Sequence, residues 1–533
     1  MNKVSEKTVI SMRLVIVVFF FVAVGLPIFN LLSHVDFADF SNIVSTELFQ
    51  QAMNNSLYTT TIATLISVAV AYILAYVINR SDIKRKAFIT VLLTVPMLIP
   101  SISHGLGLIN LFGVDGIVNK LLGTSLSIMG KHGIILGSVV YSFPVAFLIL
   151  NDAFRYIDNT KYELCDVLGL NKFQVFMKVT LYYMRRPLIS AVFAVFTMVF
   201  TDYGVPLAIG GRYSTLSTYL YREVIGLLDF SKGAIIGMFL LIPSFISFMF
   251  DVLLTDVSGA DTNKQYNIKK NKVRDVLCSI FVWSIILLIA LLFSSFVVMA
   301  FIKKYPYDFS FSLDHFKYVF SNSALLNLRN SLIIAFFSAL GGTVLAYSSA
   351  YLSARVKSAG TKFLHILSMA SLAIPGIVLG ISFSMTFKGT MFFNSFSILI
   401  LVNIIHFFAS PYLLAYNALA KLNQDYEVVG TTCGINRIRI IMKVIIPSTY
   451  ETIYEMFSYF FVNSMITISA VAFLFSIDTM PLSLLINQYE GHLMLEEAAI
   501  VSLLILLINI IVKGSGYIVK RYTHQREERA NAS

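Results

Sequence analysis

The chain lacks most of what a soluble enzyme of 533 residues needs. Only 13% of its residues are charged, it has one tryptophan, and it has three cysteines, Cys165, Cys278 and Cys433. Those three fall on the inner side or in apolar runs, so no disulfide framework is expected, and each reads as a small buried apolar residue. There is no G-x-x-x-x-G-K-[ST] phosphate loop, no HExxH pair, no paired-cysteine motif and no G-x-S-x-G elbow. Those absences remove ATP binding by that device, zinc hydrolysis and serine-elbow chemistry from this chain. No catalytic residue, metal ligand or cofactor site is expected, and no nucleic-acid-binding motif accompanies the net charge of +11.

What is present is apolar surface. Hydrophobic residues make up 57% of the chain and the mean hydropathy is +0.78. A soluble core cannot hide that much, so the chain reads as an all-α polytopic membrane protein. A spanning helix takes about 20 mostly apolar residues. Suitable windows lie near 11–32, 56–79, 87–111, 133–151, 187–210 and 233–254, then near 276–302, 331–354, 362–387, 395–419, 452–474 and 497–513. They predict twelve transmembrane helices as six plus six. Lys3, Lys7 and Arg13 precede the first run without a small-x-small cleavage site, which reads as an uncleaved span. Basic clusters at Arg80 to Lys86, Lys269 to Arg274 and Lys520 to Arg529 then place both termini in the cytoplasm. The positive charge reports topology and anionic lipid.

The two sets of six are copies. Asn55-Ser56-Leu57 recurs as Asn330-Ser331-Leu332, Ala71-Tyr72 as Ala346-Tyr347, and Ile99-Pro100 as Ile374-Pro375, all 275 positions on. After a shorter loop the register resumes at 265, with Gly169-Leu170-Asn171 matching Gly434-Ile435-Asn436. The expected domains are a first half at 1–254, a polar, flexible cytoplasmic linker at 255–274 and a second half at 275–533. Parallel repeats place a pseudo-two-fold axis along the membrane normal, with the transport path between the copies.

The repeat is strongest in two inner loops, about 152–186 and 420–451. In the first, Thr160-Lys161-Tyr162-Glu163 reads as a capping box opening a short helix. Gly169 suits the left-handed residue that ends it, and an amphipathic piece through Phe173, Val175, Phe176 and Val179 leads to Arg185 and Arg186. The second loop rebuilds this with Asp425, Tyr426, Glu427, Gly434, Ile438, Ile441, Val444 and Pro447. Such a helix-turn-helix either seats in a groove on another protein or packs against lipid headgroups.

The pattern Glu163, Gly169, Val179 resembles the EAA loop of ATP-binding-cassette importer permeases, and Gly434, Val444, Ile446 and Pro447 repeat it. Val428 aligns with Glu163 while Glu427 sits one residue earlier, and Tyr182 aligns with Pro447. The resemblance covers nearly the whole chain and implies the type I permease fold in an inner or plasma membrane. It implies coupling helices that dock on two copies of a cytoplasmic ATP-binding subunit, which carries out the hydrolysis, and an extracytoplasmic solute-binding protein. The coupling residues it implies are Glu163, Gly169, Val179, Glu427, Gly434, Val444 and Pro447. The chain looks like the branch of fused 2-aminoethylphosphonate, ferric-iron and thiamine permeases. The run from Phe200 to Pro206 and on to Gly211 is most similar to the aminoethylphosphonate type; ferric iron, thiamine or a polyamine are the alternatives.

Asp202 is an acid deep in a predicted span, with Thr467 as its counterpart. It either faces the path, with Tyr203 and with Arg212 or Arg222 nearby for a zwitterion, or caps a kink beside Gly204 and Pro206. His104 and His406 read as interior packing residues. An ion-coupled secondary transporter is the competing class; the scarcity of intramembrane carboxylates and the paired inner loops count against it.

Overall fold

The computed structural model describes residues 3–124, 127–254, 266–268, 270–322, 324–356, 360–423 and 425–532. Of the expected linker, 255–265 and 269 lie outside the described residues. The first half contains α1 (Ile10–Ser33), α2 (Glu47–Arg80), α3 (Ser101–Phe112), α4 (Lys131–Arg155), the short α5 (Thr160–Val167), α6 (Lys172–Thr201), α7 (Gly204–Ile209), α8 (Leu216–Tyr221) and α9 (Phe230–Leu254). The second contains α10 (Lys272–Phe301), a hairpin of β1 (Ile302–Lys304) and β2 (Asp308–Phe311), α11 (Ala324–Ala354), α12 (Gly376–Phe387), α13 (Phe396–His406), α14 (Ala409–Lys421), the short α15 (Asp425–Thr432), α16 (Tyr450–Ile466), α17 (Leu482–Gly491) and α18 (Leu495–Ala532).

Among the described residues nine helices are long and apolar enough to cross a membrane, and two bent pairs raise the number to eleven. Twelve spans were the expectation, and the difference has a local cause. The window 452–474 yields a helix of 17 residues that stops at Thr467, and the windows 87–111 and 362–387 each break at an Ile-Pro pair. Proline pushes the residue before it out of the α region. Ile99 (φ −123°, ψ 154°) and Ile374 (φ −120°, ψ 110°) are accordingly extended, each after one turn of 3₁₀ helix. The second break turns the chain by 100°. Hydropathy does not register such a corner.

Small residues allow the close packing that spans require. Helix α2 packs against α4 and α6, and α11 against α14 and α16. The halves also exchange helices: α1 lies on α11, while α10 and α18 lie on α3. One buried apolar cluster consequently runs from Phe20 in α1 through Tyr203 to Phe408 and Ile505.

The hairpin, which hydropathy does not predict, is pinned to the start of α18. Glu496 accepts the Tyr305 N–H at 2.7 Å, and His315 joins the Glu497 carboxylate at 2.8 Å and the Lys303 carbonyl at 2.9 Å. Both ring nitrogens face acceptors, a pattern that only the doubly protonated imidazole completes. Burial alone pulls the His315 pKa down; the bonds to Glu497 and Lys303 and the nearby carboxylates leave it raised.

Candidate functional site

The two inner loops close in the same way. Gly169 (φ +64°) and Gly434 (φ +69°) take the left-handed conformation expected of them. Across each, a backbone N–H reaches back to the carbonyl five residues earlier, Leu170 to Cys165 at 3.1 Å and Ile435 to Gly430 at 2.8 Å. This is the bond that ends a helix on a left-handed residue. No atom lies within 4 Å of where a Cβ would stand on either glycine, so the demand there is conformational.

The expected capping box at Thr160 is not formed. The N-cap position is Asn159, itself helical, whose amide donates to the Glu163 carboxylate at 2.7 Å, while Thr160 bonds to Asp158. A capping box does form beyond the Gly169 turn, between Asn171 and Gln174, at the start of α6. From there the helix continues through the π-helical turn Phe176–Leu181 into the fifth span, so the second piece of the loop and the span are one helix.

Each short helix is held against the end of a long one by a buried arginine. Arg80 ends α2, and Arg355 follows α11 at the matching position, 275 residues on. The Arg355 guanidinium donates from Nε to Glu427 at 2.8 Å, forms a second, bidentate contact to the same carboxylate, and donates to the Asn423 carbonyl at 2.8 Å. In the first loop the residue matching Glu427 is Tyr162. Its hydroxyl accepts from Arg80 at 3.1 Å, and the guanidinium carbon lies 5.1 Å from the Tyr162 ring and 5.5 Å from that of Phe154. The one-residue shift of the acid in the second loop thus has a use: Glu427 points inward to Arg355, whereas Glu163 is exposed.

Both loops turn apolar side chains outward. Leu164, Val167 at 84% exposure, Leu168 and Phe173 stand out from the first, and Val428, Val429, Ile435 and Ile438 from the second. Val179 is buried and Val444 half-buried, which makes them packing residues beneath the loops; Pro447 is exposed. Contiguous exposed apolar residues beside a membrane surface mark an interaction site.

The second region lies where the fifth spans break. Helix α6 ends at Asp202, which is buried and extended, and whose carboxylate accepts the Val205 N–H at 3.0 Å to start α7. The Asp202 carbonyl accepts from the Ser217 hydroxyl at 2.6 Å, and the Thr467 carbonyl accepts from Ser483 at 2.6 Å. Leu216 N–H donates to the Ser56 hydroxyl at 2.7 Å, as Leu482 N–H does to Ser331. Tyr203 is fully buried and stacks on Tyr221 at 4.9 Å, and the Tyr221 hydroxyl accepts from Asn487 of the second half at 3.3 Å.

Residues 342–524 match the family model described as "Binding-protein-dependent transport system inner membrane component". Residues 342–524 carry a permease domain of that description. The chain is 24% identical over 498 residues to the ferric transport system permease protein FbpB of Actinobacillus pleuropneumoniae, covering 88% of this chain and 71% of that protein. It is 21% identical over 465 residues to the thiamine transport system permease protein ThiP of Escherichia coli, covering 84% of each. The molybdate/tungstate permease WtpB of Methanocaldococcus jannaschii is 26% identical over 238 residues, 44% of this chain and 93% of that one. These relatives are permease subunits of transport systems for small solutes.

The fold brings Asp202 and Tyr203 together at the break in the permease's fifth span but leaves Arg212 exposed on the following turn. His104 is buried and His406 half-buried, and among the described residues no group of His, Cys, Asp and Glu is arranged to hold a metal. Sequence reasoning missed Arg80, Arg355, Tyr221 and Asn487. The first two were visible as basic residues at matching positions.

Proposed function

We propose that the chain supplies both halves of the membrane path of an ATP-driven importer: two tandem six-helix units at 1–254 and 275–533, twelve spans, both termini cytoplasmic. The observation that carries this is the recurrence of paired hydrogen bonds at matching positions, Ser56 with Leu216 and Ser331 with Leu482. Four residues beyond the matching Ser217 and Ser483 stand Tyr221 and Asn487. A direct contact between equivalent positions of two units related by a two-fold lies on the axis, so Tyr221 and Asn487 close the path there. Tyr203 and Asp202 border it, and Arg212 stands at its outer mouth.

In this reading α5 and α15 each insert into one copy of a cytoplasmic ATP-binding subunit, which hydrolyses the nucleotide, and movement of that pair is passed to the two halves as rigid bodies. A solute-binding protein docks outside and sets specificity. For the solute, ferric iron is favoured by a relative that covers most of the chain, with thiamine beside it. The similarity of the run 200–211 favours 2-aminoethylphosphonate, but Asp202 is engaged as a cap and Arg212 is remote in exposure, which weakens a charge pair for a zwitterion.

The test is uptake into proteoliposomes holding the permease, its ATPase and its binding protein, with ferric iron, thiamine and 2-aminoethylphosphonate as solutes. Uptake should require internal ATP and the binding protein; uptake driven by an ion gradient alone would restore the secondary-transporter reading. Asp202→Asn keeps a capping acceptor while removing the charge. Lowered uptake with intact assembly supports its place on the path, and unchanged uptake assigns it to capping.

A further inference from the structure

The Arg80 site is incomplete without the segment that joins the halves. A buried guanidinium needs compensation from groups that replace water. Arg355 receives a bidentate carboxylate and several backbone carbonyls, whereas Arg80 is 5% exposed, its Nε has no hydrogen-bond partner among the described residues, and its acceptors are the Asn79 carbonyl at 3.3 Å and the Tyr162 hydroxyl, neither of them charged. The ring nearest to Arg80 belongs to the linker: Tyr266 lies 4.0 Å from the guanidinium carbon and meets Tyr162 edge-on at 4.9 Å. Its neighbour Asn267 donates its N–H to Asn159 at 3.2 Å, and Asn159 in turn holds Glu163 at 2.7 Å. Farther along, Asp275 in α10 accepts the N–H of Asp82, two residues beyond Arg80.

We propose that the linker between the halves is a positioning element of the first coupling loop, with Tyr266 closing an aromatic cage on Arg80 that fixes α5 against α2. Tyr266 and Tyr162 together do for the first loop what Glu427 does alone for the second. Cation–π attraction to three ring faces replaces the ion pair, and the contacts of Tyr266, Asn267 and Asp275 tie the region of α5 and the end of α2 to the first helix of the other half. The proposal rests on the assignment of α5 to ATPase coupling, and two readouts keep them apart.

The experiment uses the full importer with Tyr266→Ala, Tyr266→Phe, Tyr162→Glu and the Tyr162→Glu, Tyr266→Ala pair, read by amide hydrogen exchange over 161–169 and 426–434 and by binding-protein-stimulated ATPase rate. Tyr266→Ala should speed exchange over 161–169 by about ten-fold or more, leave 426–434 unchanged, and lower the stimulated rate. Tyr266→Phe keeps the ring face and should match wild type. Tyr162→Glu imports the second loop's carboxylate, so Tyr266→Ala should become silent in that background. Unchanged exchange in Tyr266→Ala, or an equal effect in both backgrounds, would overturn the proposal. Faster exchange with an unaltered ATPase rate keeps the cage and removes the coupling assignment instead.

Discussion

The two inner loops reach one backbone shape by two chemistries. Each has a short helix, a left-handed glycine and a buried arginine from the end of a long helix. In the second the arginine is neutralised by Glu427 within the same half; in the first it is surrounded by rings, one of them borrowed from the linker. A further difference lies beneath the helices, where Cys165 is buried in the first loop and Gly430 in the second, packed so tightly that a Cβ there would stand 2.2 Å from Ile440. The two loops thus keep one geometry while exchanging the interactions that hold it. Among the described residues, Tyr266 and Asn267 of the joint touch the first loop, and the second loop's arginine is paired within its own segment.

The largest effect should come from attacking what the loops share. A β-branched residue at φ +64° and +69° costs about 1–2 kcal/mol per site, and the strain falls on the turn itself. The Gly169→Val, Gly434→Val pair should lose ATPase attachment and uptake with the permease still inserted, whereas the matching pair of asparagine substitutions, which tolerate that conformation, should retain most of both. Co-purification of the ATPase decides between them.

The next effect separates the loops. Arg355→Met strands the half-buried Glu427 carboxylate, and breaking such a pair costs about 3–5 kcal/mol. Arg80→Met strands no charge and loses ring contacts and two hydrogen bonds to neutral acceptors, so its melting temperature should fall less. Adding Glu427→Leu to Arg355→Met should recover much of the loss. Equal melting shifts for the two arginines would break the comparison.

Among the described residues the halves differ again, because the hairpin held by His315 belongs to the second alone. The raised pKa of His315 means that its contribution is fully present below the ordinary imidazole value of about 6.5 and is lost as pH rises through the higher folded value. The gap in melting temperature between wild type and His315→Gln should therefore be widest in mild acid and shrink toward alkaline pH. A gap that widens with pH would reverse the sign of this account.

Much of this architecture is legible in the sequence because repeats carry it. Identities at one offset reveal Ser56 and Ser331, and these prove to be hydrogen-bonding residues with matching jobs. Glycine at 169 and 434 announces its own conformation. The arginine cages are not legible, since they join residues distant in sequence and substitute rings for a carboxylate, so that Tyr162 and Glu427 look unrelated until seen beside Arg80 and Arg355. The role of Asp202 was open for a similar reason: a buried acid at a helix break serves as a cap or as a path residue with the same composition around it.

The central claim is that the two loops are equivalent docking elements, and position 168 tests it against position 433. Cys433 is exposed at the tip of the second loop, and Leu168, its match, is exposed at the tip of the first. A thiol-tethered photocrosslinker placed on Cys433, or on Leu168→Cys in a chain lacking the native thiols, should trap one ATPase subunit from either site, and two when both are present. Crosslinking from one loop alone, or capture of lipid rather than the ATPase from both, would contradict it.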